Sequence, residues 1–162
     1  MRSCGDCAAC CEGWLHDESL DMNAGKACKH CTGNGCGLYD SRPEVPCRTF
    51  RCAWLKRETE FDDDMRPDRC GAILIDDRAF KQWEVIRVIP VGVAVPDATL
   101  QRVMTFAAQN NFSVTWTERR TDYVDYPDDV RVGTAGSEEF TIQMKWEVHP
   151  GDVWRYAPDS AS

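Results

Sequence analysis

All ten cysteines of this 162-residue chain fall within its first seventy positions, and the first four arrive together as Cys4-Gly-Asp-Cys7-Ala-Ala-Cys10-Cys11. Cys28, Cys31, Cys36, Cys47 and Cys52 follow, and Cys70 stands apart. Thiols at this density are either oxidised into staples or deprotonated around metal. The choice constrains the fold. Conventional core builders are scarce in the first third, where Gly5, Gly13, Gly25, Gly33, Gly35 and Gly37 favour loops and short turns. Such a segment buries too little apolar surface to fold alone and needs cross-links, which metal can supply.

Met1-Arg2-Ser3-Cys4 leaves no room for a signal peptide, and no run approaches the roughly 20 apolar residues of a membrane span. The expectation is a cytoplasmic, reduced chain with no membrane partner, in which metal is favoured over disulfides. The net charge of −8 is spread along the sequence and forms no basic face. Nucleic acid is therefore not an expected partner.

Composition divides the chain. Residues 1–70 read as a cysteine-rich metal-binding lobe. Within it, residues 55–70 carry the charge runs Lys56-Arg57-Glu58 and Asp62-Asp63-Asp64 and read as a solvated linker. Residues 71–156 read as a small α+β part packed against the lobe in one compact unit, and 157–162 as a disordered tail. Ala72 to Ile75 predicts a strand, Asp76-Asp77-Arg78 a turn, and Trp83 to Ile89 a second strand. Asp97 is the expected N-cap of a helix presenting Leu100, Val103, Met104 and Ala107, which Asn110-Asn111 can end. Phe112, Val114 and Trp116 alternate with polar residues, as do Phe140, Ile142, Met144 and Trp146, which predicts two more strands. The fold class is α+β: an irregular cysteine-rich lobe followed by a small antiparallel sheet with one covering helix.

Cys-x-x-Cys places two sulfurs on one side of a tight turn, where they can share a metal. Cys4/Cys7, Cys7/Cys10 and Cys28/Cys31 have that spacing. Adjacent Cys10 and Cys11 diverge more easily than they converge, which favours more than one metal or a multinuclear cluster. A ferredoxin run would need its fourth cysteine where this chain has Trp14. A thioredoxin-like pair would need a preceding strand that neither Cys4 nor Cys28 has.

The opening run, Cys28, Gly35-Cys36-Gly-Leu-Tyr39-Asp-Ser-Arg42-Pro43 and Pro46-Cys47-Arg48-Thr-Phe50-Arg-Cys52 together resemble the CxxCxxCC family of bacterial zinc- or iron-chelating domains. The resemblance covers residues 4–55. It implies that Cys4, Cys7, Cys10, Cys11, Cys28, Cys36, Cys47 and Cys52 are metal ligands. Cys31 occupies a position where the family more often has an apolar residue. Flagellin lysine methylases carry a similar cluster, so the resemblance also admits an iron–sulfur enzyme.

His30, between Cys28 and Cys31, is a further candidate ligand, while His16 and His149 read as exposed. Cys70 reads as a small buried hydrophobe. Arg42-Pro43 and Pro46-Cys47-Arg48 form a rigid turn that aims Cys47, with Tyr39 and Phe50 expected as a dry shell. The leading expectation is a metal-binding protein holding two or more zinc ions in closed structural thiolate sites. An iron–sulfur protein with a redox or modification role is the alternative, with zinc or iron storage or delivery beside it. Soft thiolates suit zinc and iron–sulfur alike. With no catalytic motif in view, the balance is against an enzyme, and a protein partner would bind through the C-terminal part.

Overall fold

A computed structural model describes residues 1–15, 17–22, 26–119, 129–145 and 155–156. His16, Trp146, His149 and the expected tail at 157–162 lie outside the described residues.

The α+β class holds. Strands β1 (Ala72–Phe80), β2 (Trp83–Pro90), β3 (Ser113–Arg119), β4 (Asp129–Ala135) and β5 (Arg155–Tyr156) form one sheet in the order β4-β3-β2-β1-β5. Three of its pairings are antiparallel, as expected, but β2 and β3 run parallel, with Val85 opposite Ser113 and Val88 opposite Trp116. The cause is the helix between them. Helix α3 (Asp97–Gln109) spans 13 residues, or about 20 Å, and carries the chain back along β2 so that β3 begins at the same end.

Helix α3 buries Thr99, Val103, Phe106 and Ala107, with Leu100 packed beside them. Pro96 is its N-cap, and Asp97 falls in the first turn, where it complements the helix dipole. Asn111 takes the left-handed conformation just past its end, at φ 59°.

Further sequence expectations are corrected. Asp76-Asp77 is no turn: β1 continues through a bulge to Phe80, and the hairpin closes at Lys81-Gln82. The bulge turns Asp76 inward, where it accepts Arg57 at 2.5 Å and an ion pair from Lys56. The segment expected as a fourth strand is instead helix α4 (Glu138–Lys145). Phe140 and Met144, four residues apart, are fully buried while Ile142 is 47% exposed, which is helical phase. The Ser137 hydroxyl accepts from the Phe140 N–H at 3.1 Å, and Glu138 and Glu139 fill the first turn.

Residues 55–70 are likewise no solvated linker. Helices α1 (Ala53–Lys56) and α2 (Pro67–Cys70) flank Phe61 and Met65, both buried. The acidic run is met by arginines from either side, Asp62 by Arg102 at 2.9 Å and Asp63 by Arg2 at 3.7 Å. One apolar core therefore runs unbroken from Ala9, through Cys52 and Trp54, to Ile73, Ile86 and Val103.

Candidate metal centre

The cysteine segment is tied to the sheet at several points. The Arg2 guanidinium lies over Trp54 at 4.8 Å and donates to its carbonyl at 2.9 Å, fixing the segment that leads into Cys4. Arg66 reaches Asp6, between Cys4 and Cys7, at 2.8 Å while gripping Asp68 through two nitrogens at 2.6 Å. The Cys4–Cys7 turn is closed by the Cys7 N–H on the Cys4 carbonyl at 2.9 Å. Backbone N–H groups near the Cys7 sulfur, those of Ala9 and Asp68, oppose the rise that burial imposes on its thiol. Cys52 caps the start of α1, where its carbonyl accepts the Leu55 N–H at 3.0 Å, and the N–H groups of Leu55 and Trp54 oppose the effect of burial on its thiol. N–H groups placed near sulfur favour thiolate charge.

Cys4, Cys7 and Cys10 pack with buried Cys52 against the main core. Cys11, Cys31 and Cys47 pack instead with buried Cys28 around Leu20 and Met22, in a separate small cluster. Electrostatics divides them in the same way. Burial pushes the Cys10 thiol well above its ordinary value, and Cys52, Cys7 and Cys4 push it further, ahead of Cys11. Burial raises Cys11 to about 12, and its neighbouring thiols are Cys31, Cys28, Cys36 and Cys47. Cys47 is also raised, by burial and then by Cys28 and Cys36. Two consecutive residues thus belong to two groups, one of four sulfurs and one of five.

Local structure explains the second group. Gly13, at φ +94°, passes so close to Lys26 that a Cβ would lie 2.8 Å from its carbonyl carbon. That approach lets the Cys28 N–H reach the Cys11 carbonyl at 2.8 Å. Beyond Cys28 the chain doubles back through Thr32-Gly33-Asn34-Gly35, and Cys31 comes to lie opposite Cys36. The Cys28 sulfur accepts the His30 N–H at 3.5 Å, and the Cys36 sulfur accepts that of Leu38 at 3.4 Å. His30 contributes its backbone to the turn, the N–H to the Cys28 sulfur and the carbonyl to the Gly37 N–H at 2.8 Å. Arg42 stacks on Tyr39 at 3.9 Å and lies near enough to lower both Cys4 and Cys47 against the effect of burial, so its charge serves both groups.

Among the described residues, no three His, Cys, Asp or Glu side chains meet in a geometry that could hold a metal ion. The groups are neighbourhoods of free thiols rather than finished tetrahedra. The donor chemistry fits soft divalent metal: four or five sulfurs, backbone N–H groups turned toward them, and a nearby guanidinium. Tyr39, at 41% exposed, forms no dry shell, whereas Phe50 does pack on the core. The Cys70 thiol lies buried, donating to the carbonyls of Ala72 at 3.3 Å and Met65 at 3.5 Å, and serves the core. Cys31 joins the second group, in keeping with its Cys28-x-x-Cys31 spacing.

No helix among the described residues is long and apolar enough to cross a membrane. Comparison of the chain with family models, curated proteins and solved structures finds no match.

Proposed function

We propose that this chain is a cytoplasmic metal-binding protein that holds two zinc ions through thiolates. Cys4, Cys7, Cys10 and Cys52 bind one ion, and Cys11, Cys28, Cys36 and Cys47 bind the other, with Cys31 alongside. The observation that carries this reading is the parting of Cys10 and Cys11 into separate sulfur groups. A single four-thiolate site has no use for such a division. The resemblance to zinc- or iron-chelating CxxCxxCC domains points the same way.

Zinc bound here would supply cross-links, drawing each group of sulfurs into a closed tetrahedron and adding its binding free energy to folding. The first group is rooted in the main core and suits a permanent structural ion. The second packs on the small separate cluster of Leu20 and Met22, away from the main core, which favours exchange. The sheet and α3 then serve as the platform that holds the lobe and offers a surface to a protein partner.

The test is elemental analysis of freshly purified, untagged protein, handled without oxygen. Two zinc ions per chain, with loss of structure in the lobe on chelation, support the proposal. Iron with acid-labile sulfide replaces zinc by an iron–sulfur cluster. Protein that carries no metal and folds fully with free thiols refutes it.

A further inference from the structure

The second sulfur group has five members, and a tetrahedral ion takes four. The fifth is explained by the hairpin that carries Cys31 and Cys36. Its backbone bonds run from the Gly37 N–H to the His30 carbonyl at 2.8 Å and from the Thr32 N–H to the Gly35 carbonyl at 3.0 Å. They flank the Cys31–Cys36 pair instead of joining it, so the two cysteines occupy a non-hydrogen-bonded antiparallel position. Cα atoms in such pairs are about 4.5 Å apart, with both side chains on one face. That spacing falls within the roughly 4.4–6.8 Å that a disulfide requires. Both thiols are half-exposed and thus open to a small oxidant.

Building on the two-ion reading, we infer that Cys31 and Cys36 form a reversible cross-strand disulfide whose closure empties the second metal site. The oxidant is a hydroperoxide. The Cys31 thiolate attacks one peroxide oxygen, an S–O bond forms as the O–O bond breaks, and the departing oxygen takes a proton from solvent and leaves as water (as alcohol from an organic hydroperoxide). The Cys36 thiolate then attacks the sulfenic sulfur, an S–S bond forms as the S–O bond breaks, and the hydroxyl takes a second solvent proton and leaves as water. Two electrons pass from the sulfurs to the peroxide. Cys11, Cys28 and Cys47 remain, one short of a closed four-sulfur site, and the ion is released. The first group contributes nothing to the pair and keeps its metal.

The experiment uses the full metal-loaded chain and stoichiometric hydrogen peroxide, with a chromogenic chelator reporting free zinc. Cleavage after Lys29 and Glu44 isolates a peptide, residues 30–44, that contains only Cys31 and Cys36. The expected result is release of about half the zinc, with this peptide two hydrogens lighter, and restoration of both by a dithiol reductant. Cys31→Ser should retain both ions when reduced and hold them at peroxide doses that strip the parent protein. Zinc leaving while the 30–44 peptide keeps two alkylatable thiols overturns the inference. So does a disulfide that joins other cysteines, or a Cys31→Ser protein stripped as readily as its parent. A chain that carries no metal before oxidation overturns the underlying two-ion reading, and that failure is visible before any peroxide is added.

Discussion

Cys10 and Cys11 share a peptide bond but not a neighbourhood: Cys10 packs with Cys52 on the main core, and Cys11 with Cys28 on the Leu20–Met22 cluster. Cys10→Ser and Cys11→Ser should therefore each lose one metal, and not the same one. Metal content should fall from two per chain to one in either variant and to zero when both changes are combined. Thermal unfolding should separate them further. Cys10→Ser loosens the lobe where it meets the sheet and should lower Tm, while Cys11→Ser should leave the sheet's transition nearly unchanged. Equal loss of both ions in either single variant would contradict two separate centres.

The metal-free protein should lose stability as pH rises. Burial, reinforced by neighbouring thiols, holds Cys52 at about 11 and Cys11 at about 12, against an ordinary 9.0. Above pH 9 the unfolded chain releases these protons while the folded chain keeps them, so the equilibrium moves toward unfolding. The contribution is complete below about pH 9 and is lost as pH climbs through 11 to 12. Zinc affinity runs the other way, rising with pH because the ligands must be deprotonated. Denaturant titrations of reduced, chelated protein at pH 8 and pH 11 should show the decline, and a flat profile would rule it out.

Asp76 joins the sheet to the residues just after Cys52. Its carboxylate is 4% exposed and lies between Lys56 and Arg57, and the Arg57 guanidinium also sits over Phe106 and Phe112 at 5.3 and 5.2 Å. Asp76→Asn should cost about 2–3 kcal/mol, since it removes the buried carboxylate shared by two partly buried cations and leaves Lys56 with only Asp77 at 3.9 Å and Arg57 with only Glu60 at 3.6 Å. Urea unfolding measures this, and a loss under about 0.5 kcal/mol, the scale of an ordinary surface change, would show the cluster to be unimportant.

Gly133 stands opposite Trp116 across β3 and β4, and a Cβ there would lie 2.0 Å from the indole ring. Gly133→Ala should destabilise by about 1–3 kcal/mol, because the ring must leave its place on the strand. Trp116→Leu should remove most of that penalty, giving a coupling of at least 0.5 kcal/mol in a double-mutant cycle. Additive losses would mean that the ring does not rest on the glycine.

How far the fold could be read depended on whether local pattern and tertiary setting agreed. Helix α3 was legible because Val103 and Ala107 repeat at the spacing of one helical face, and β2 because Trp83 to Ile89 is rich in β-branched and aromatic residues. Helix α4 was not. Phe140, Ile142 and Met144 satisfy alternation and helical spacing equally well over so short a stretch, and the Ser137 cap with its two glutamates was the signal that separated them. Asp76-Asp77 resembles a turn by composition, but Lys56 and Arg57 give Asp76 a buried partner, so β1 bulges and continues.

The cysteine lobe divides in the same manner. The amino-acid sequence alone established that the chain is rich in thiols along its first seventy residues and that adjacent Cys10 and Cys11 would not easily face one ion. It could not say which sulfurs keep company. Only the tertiary structure decided that, because the partners are distant along the chain. Cys52 reaches Cys10 through the docking of α1 on the sheet, and Cys28 reaches Cys11 because Gly13 lets two backbones touch. Spacing sets which sulfurs a turn brings together locally, whereas packing of separate segments sets which turns meet.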